Sequence, residues 1–193
     1  MAEEEEPLGA EREPTWDQKV VKLNEVLAER NIPYAFGGAI ALNYHREPRS
    51  TLDIDINIFL SPEHEDTVLS ALGDVYDLDD QGHLRRVLQR DGQARSSWGD
   101  TYVDLFLANT DFHTSMAERV EYQPFGETTI PVLSIEDLLI CKALFDRSKD
   151  WVEIEAVAKT RRGDLDRPYI AGWLDRFLSA DDPRRARIAA LLE

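Results

Sequence analysis

The chain has 193 residues, of which 42% are hydrophobic and 31% charged, and its formal net charge is -16. That length favours one domain, or a core domain with a small helical extension, and the charge argues against a broad electrostatic grip on nucleic acid, which needs clustered Lys and Arg, while leaving room for a local basic patch. No apolar run approaches the roughly 20 residues of a membrane span, and the single cysteine, Cys141, excludes a disulfide framework within the chain.

The acidic start, Met1-Ala2-Glu3-Glu4-Glu5-Glu6, is not a signal peptide. A soluble, cytoplasmic protein without membrane contact is expected. Residues 1–14, acidic and carrying Pro7 and Pro14, read as a disordered lead-in. A helix is predicted from Trp16 to Arg30, capped by Thr15 with Gln18 in capping-box position. Val20, Leu23 and Leu27 recur on its inner face. Tyr34-Ala35-Phe36 reads as a strand, Gly37-Gly38 as a turn, and Ala39 to His45 as a short helix. Asp53 to Leu60 alternates polar and apolar residues, as a strand with two unlike faces does.

Ser61 and Pro62 open the next helix, which ends near Gly73. From Val75 to Leu107 we expect strands, with polar turns at Asp79-Asp80-Gln81-Gly82 and at Asp91-Gly92, and Thr101 to Leu107 as the clearest strand. A weaker helix covers Phe112 to Arg119, and Gly126 marks a turn before a strand from Thr128 to Leu133. Ser134 with Asp137 is a further capping signal. Beyond it the chain turns helical at Ile135–Arg147, Trp151–Lys159, Tyr169–Leu178 and from Pro183 onward. The architecture expected is α/β (α+β): a mixed sheet core over residues 15–133 flanked by helices, then a helical part over 134–193.

The chemistry concentrates in two places. Asp53 and Asp55 are two apart on one strand, so their carboxylates share a face. Same-face carboxylates repel when both are ionised, and a half-buried pair needs a cation to be stable. Oxygen donors of this kind suit magnesium, which takes one or two carboxylates plus phosphate oxygens. The same alternation also describes a solvent-facing edge strand. Gly37-Gly38, between a strand and a helix start, lets backbone N–H groups approach a phosphate; alone it is equally an ordinary tight turn. The two signals on consecutive elements are far more specific than either one.

Gly37-Gly38-Ala39-Ile40-Ala41-Leu42, followed by Arg49-x-Thr51-x-Asp53-Ile54-Asp55-Ile56, resembles the signature of polymerase-β-type nucleotidyltransferases. With Ser134-Ile135-Glu136-Asp137-Leu138-Leu139-Ile140-Cys141-Lys142 and Arg147-Ser148-Lys149-Asp150, the pattern looks most like the AbiEii branch, which includes the MenT toxins of toxin–antitoxin systems. The resemblance spans residues about 30 to 158. It implies a nucleotidyltransferase-like core. It also implies catalytic Asp53, Asp55 and Asp104 on two magnesium ions, with Asp104 placed to help deprotonate the attacking hydroxyl. Nucleotide contacts would come from Gly37, Gly38, Arg49, Thr51, Lys142 and Asp150. The substrates implied are an NTP and the 3′ end of tRNA, in a toxin held by a cognate antitoxin; a small-molecule acceptor, of the antibiotic kind, and a non-catalytic nucleotide-binding module are the alternatives. Two positions depart from the pattern. Ala39 stands where many such enzymes carry Ser, and Glu153 lies where the branch often has a second Asp. The arginine clusters, Arg85, Arg86, Arg90 and Arg95 among them, read as solvated faces, and the four histidines show no ligand spacing.

Overall fold

A computed structural model describes residues 13–161 and 163–192, so the expected lead-in over residues 1–14 lies almost wholly outside the described residues. In chain order the elements are α1 (Trp16–Glu29), β1 (Tyr34–Phe36), α2 (Gly38–Leu42), β2 (Asp53–Ile58), a 3-10 turn (Pro62–His64), α3 (Glu65–Gly73), α4 (Gln81–Asp91), β3 (Gln93–Trp98), β4 (Thr101–Leu107), α5 (Asp111–Glu118), β5 (Glu121–Phe125), β6 (Thr128–Val132), α6 (Ile135–Phe145), α7 (Ser148–Arg161), α8 (Arg167–Phe177) and α9 (Pro183–Leu192). The mixed α/β core with a helical C-terminal part is the architecture the sequence implied.

Among the described residues the strands form one sheet in the order β3-β4-β2-β1-β6-β5. β2 pairs in parallel with β4, and β1 in parallel with β6; the other neighbours are antiparallel. Ile54, Ile56 and Ile58 put one face of β2 wholly into the core, which leaves Asp53, Asp55 and Asn57 on the other face. α1 lies against α3, α2 against α6, and α6 packs on both α7 and α8. One hydrophobic cluster runs from Val20 of α1 to Leu192 of α9.

Local signals explain most boundaries. Thr15 accepts a hydrogen bond from the Gln18 backbone while the Gln18 side chain accepts one from the Thr15 backbone, a complete capping box. Ser134 caps α6 by accepting from the Asp137 N–H, while its hydroxyl donates to the Asp137 carboxylate. The helix expected after Pro62 begins instead with a 3-10 turn, and Ser61 makes no capping bond to its backbone.

Two expectations need correction. Residues 81–91 are a helix and not a strand: Leu84 and Leu88 are buried at helical spacing. The two presumed hairpin turns are that helix's ends. Asp80 caps it through the His83 backbone, and Gly92, at φ 69°, stops it in the left-handed region. The other correction is β5, for which no strand was expected. It pairs with β6 around Gly126. Pro124 hides it from a propensity reading, yet Pro is tolerated here because β5 is an edge strand.

Candidate active site

Strand register sets the site. Parallel pairing places Asp55 directly opposite Asp104, and the β3–β4 hairpin places Asp104 opposite Arg95. Three neighbouring strands therefore present Arg95, Asp104 and Asp55 as one row across the polar face of the sheet. Asp53 lies on the same face of β2, two residues before Asp55. Arg95 donates from Nε to Oδ1 of Asp104 at 2.7 Å and from Nη2 to Oδ2 at 2.6 Å, a bidentate pair. The guanidinium also lies 4.8 Å from the centroid of Tyr102. Neither Asp53 nor Asp55 has an ion pair among the described residues.

The double glycine closes over this row. The Gly37 N–H donates to the Asp55 carbonyl at 2.9 Å. Gly38 has φ 49°, and a Cβ there would stand 1.9 Å from Oδ2 of Asp55. The turn is thus also the backbone wall of the carboxylate. Ala39 is buried.

α6 supplies the cation above the row, and the motif that carries it divides into two halves. Asp137 accepts from Ser134 Oγ and from the Tyr169 hydroxyl, both at 2.6 Å, while Glu136 binds Arg119 at 2.9 Å. These contacts tie α6 to α5 and α8. Lys142, two turns further along, is buried between two acids: it donates to Glu153 and lies 3.5 Å from Asp150. Glu153 also accepts from Arg49 Nε at 3.0 Å, and Arg46 lies 3.6 Å away. The residue whose role the sequence left open is therefore the hub that joins Arg49 to Lys142. Asp150 pairs with Arg147 and lies beside Lys142.

The remaining candidates hold backbone. Thr51 Oγ1 accepts from the Asp53 N–H at 3.2 Å and fixes the start of β2. Asn43 grips Arg49 through both its N–H and its carbonyl. Of the candidates, Gly38, Asp55 and Lys142 line one cavity and Asp55 and Asp104 a second, while Asp53 lies two residues before Asp55 on the same strand face and Asp150 is buried beside Lys142.

Two cavities meet at Asp55, Phe106, Phe145 and Arg147. One, about 340 Å³, contains Arg95 and Asp104 as well. The other, about 350 Å³, runs from Gly38 and Lys142 to an apolar end made by Phe112, Met116, Leu138 and Phe177. A groove of about 800 Å³ between α1 and the β5–β6 turn holds none of the row.

Electrostatics bear the imprint of crowding. Burial, then the charges of Asp104 and Asp53, push Asp55 up to about 6, against the pull of Lys142 and Arg147. Burial also works on Glu153, but the hydrogen bond and charge of Lys142, with Arg49, hold it below the usual carboxylate range. Asp150 is likewise held low, Arg147 and Lys142 outweighing its burial. Hence the acids around Lys142 are satisfied, whereas Asp55 is an acid short of a cation. Hard carboxylate oxygens beside a glycine wall fit a divalent ion such as magnesium. Among the described residues no three His, Cys, Asp or Glu side chains are clustered as a metal cage, and Asp104 faces Arg95.

Arg95, expected among the solvated arginines, belongs instead to the carboxylate row. The signal was available: a hairpin turning at Gly99 and Asp100 pairs Trp98 with Thr101, which brings Arg95 opposite Asp104. The aromatic cavity carries no local signal in the sequence, because its Phe106, Phe112, Phe145 and Phe177 come from four separate elements.

No protein-family profile matches the chain, and no curated protein is similar to it in sequence. Solved structures do match. The antibiotic-resistance factor ANT(2'')-Ia aligns at TM-score 0.58 and 15% identity, covering 91% of this chain and 94% of that one. The lincosamide antibiotic adenylyltransferase LnuA, bound to lincomycin, aligns at 0.50 and 16%, covering 72% of this chain and 94% of that one. A candidate nucleotidyltransferase from H. pylori aligns at 0.50 and 14%, covering 95% of this chain and 94% of that one. The chain has the nucleotidyltransferase fold. No helix among the described residues is long and apolar enough to cross a membrane.

Proposed function

We propose that this protein is a divalent-metal-dependent nucleotidyltransferase that moves a nucleoside monophosphate from an NTP to a hydroxyl of a small-molecule acceptor. The row of Asp55 opposite Asp104, with Asp53 beside it, carries this reading. Those three residues would hold two magnesium ions, which supply charge neutralisation for the triphosphate and for the departing pyrophosphate. The acceptor oxygen attacks the α-phosphorus, the bond from that phosphorus to the bridging oxygen breaks, and pyrophosphate leaves. A carboxylate oxygen of Asp104 takes the acceptor proton. Gly37 and Gly38 keep side chains away from the phosphates, Lys142 supplies a positive charge that Asp150 and Glu153 orient, and Arg49 and Thr51 border the nucleotide.

The acceptor class rests on charge and on the cavity. Arg46 and Arg49 give their charge to Glu153, and Arg147 gives its charge to Asp150. A polyanionic acceptor would meet few free cations on a chain of net charge -16. The apolar end of the 350 Å³ cavity suits a compact, ring-bearing molecule. A second reading, transfer to the tRNA 3′ end by a toxin with a cognate antitoxin, is favoured by the motif resemblance and by Arg147, which stays half-exposed at the cleft.

The test is to incubate the protein and magnesium with each α-labelled NTP and, separately, with total RNA, protein and a metabolite extract. Pyrophosphate release with label entering the metabolite fraction is expected. Label entering RNA alone would move the tRNA reading ahead, and no transfer with any fraction would refute the enzyme reading.

A further inference from the structure

Arg95 is the cation that spends its charge on the carboxylate row. Its guanidinium covers both oxygens of Asp104, at 2.7 and 2.6 Å. Among the described residues, the other arginines near the cleft pair elsewhere: Arg49 and Arg46 with Glu153, Arg147 with Asp150. Among the described residues Arg95 has no second hydrogen-bond partner, only the face of Tyr102. Its side chain is 54% exposed, while that of Asp104 is 15% exposed. A buried structural ion pair is fixed by several partners on both sides; this arginine is held at one end and is wet around the rest. It also borders the 340 Å³ cavity that contains Asp55, Asp104 and Arg147.

We propose that Arg95 is an exchangeable counter-ion: it neutralises Asp104 until a divalent cation takes those oxygens, and then turns into the adjoining cavity to bind the phosphates of the nucleotide beside Arg147. The inference rests on the reading that the aspartate row binds metal for nucleotidyl transfer. A guanidinium suits both tasks, because its planar fork matches a carboxylate and a phosphate alike. The exchange couples the two ligands. Metal entry frees a cation for the triphosphate, and a bound triphosphate keeps that cation from returning to Asp104.

The signature is a pair of effects of opposite sign, which a merely structural residue would not give. Manganese binding to the full chain without nucleotide is measured from the signal of the free ion, for wild type, Arg95→Gln, Arg95→Lys and the remote control Arg85→Gln, whose partner is Asp66. Arg95→Gln should bind manganese about fivefold to tenfold more tightly, since no internal cation competes. Arg95→Lys should fall between, as an ammonium does not span both oxygens, and Arg85→Gln should match wild type. At saturating manganese, a non-hydrolysable NTP analogue should then bind Arg95→Gln about tenfold more weakly than wild type. The proposal is overturned if Arg95→Gln binds manganese no more tightly than wild type, or binds the analogue equally well. If neither wild type nor the variants bind manganese, the metal reading itself falls, and this inference with it. Circular dichroism of each variant identifies any loss of fold, and the lysine variant keeps the test open should the glutamine variant unfold.

Discussion

Oδ2 of Asp55 occupies the space that a side chain on residue 38 would need: a Cβ built on Gly38 would stand 1.9 Å from it. The conflict is doubled by φ 49° at that residue, a conformation in which a non-glycine residue is strained. Gly38→Ala should therefore lose on the order of 1–3 kcal/mol of stability. It should also lose nucleotidyl transfer by about a hundredfold, because the displaced group is the central carboxylate. Gly37→Ala is the comparison. Its Cβ would meet the Asn57 side-chain amide at 2.7 Å, and a side chain can turn away. Thermal melting and initial rates of both variants decide the matter; a Gly38→Ala protein that melts and works like wild type would remove the glycine wall from the site.

The elevated Asp55 gives a pH signature. Its folded value of about 6 lies above the ordinary carboxylate value. The folded protein thus holds this proton where the unfolded chain has released it. The stability from that proton is fully present below about pH 4 and is lost as pH rises through about 6. Two units correspond to about 3 kcal/mol at most, and partial solvent contact reduces this to about 1–2 kcal/mol. Asp55→Asn should be more stable than wild type by that amount at pH 8 without metal, equal to it near pH 4, and inactive throughout. Magnesium should raise the wild-type melting temperature at pH 8 and much less at pH 5, where the proton competes. Melting curves against pH, with and without magnesium, measure all of this; an Asn variant with no gain at pH 8 would show that Asp55 is not the acid short of a cation.

Lys142 has a dual part. Its neighbours Asp150 and Glu153 are buried, so removing the ammonium leaves Asp150 to Arg147 alone and Glu153 to Arg49 and Arg46. Lys142→Ala should cost about 1–3 kcal/mol of stability, because each acid keeps an arginine partner, in addition to impairing NTP use. The double variant Lys142→Ala/Glu153→Ala should recover part of the stability and none of the activity, and Arg49 would then lose its anchor as well. Denaturant unfolding of the two single variants and the double variant gives the coupling energy. Coupling near zero would mean that the pair drawn by the structure has no energetic content.

Much of the site was legible from local spacing, and what was not legible depends on distance along the chain. Asp53 and Asp55 share a face by strand geometry alone, and Gly37-Gly38 declares a turn, so both appear in any careful reading. The helix at 81–91 was missed because Asp80 and Gly92 serve hairpin turns and helix ends equally well; only the burial of Leu84 and Leu88 separates the two. Glu153 and Lys142 are eleven residues apart on different helices, and Arg49 joins them across 104 residues. No periodicity reports a contact of that span. The aromatic cavity is hidden for the same reason, since β4, α5, α6 and α8 each contribute a ring.

Those rings carry the remaining prediction. Phe145 and Phe177 are large, apolar and conspicuously wet, at 49% and 38% exposure. Phe177 packs edge-on to Phe112 at 5.6 Å and stacks on Trp173 at 5.8 Å, while Phe145 tilts toward Phe106 at 6.3 Å. Aromatic side chains bury roughly 150–250 Å² when fully covered, so two half-covered rings at the mouth of a cavity leave area for a ligand to cover. If the acceptor is a compact ring-bearing molecule, Phe177→Ser and Phe145→Ser should raise its KM by about tenfold each, near 1.4 kcal/mol. Manganese binding should be unchanged, because neither ring belongs to the carboxylate row. Their effect on folding should be small, as each is already partly in water. For an RNA acceptor the pattern reverses. The phenylalanine variants would then act like wild type, while transfer would fall steeply with salt, at a slope near -0.7 per phosphate contact for single strands. Steady-state kinetics of the two variants, set beside a salt series on wild type, separate the two acceptors in one experiment. Variants with unaltered KM, together with steep salt dependence, would assign the acceptor to RNA.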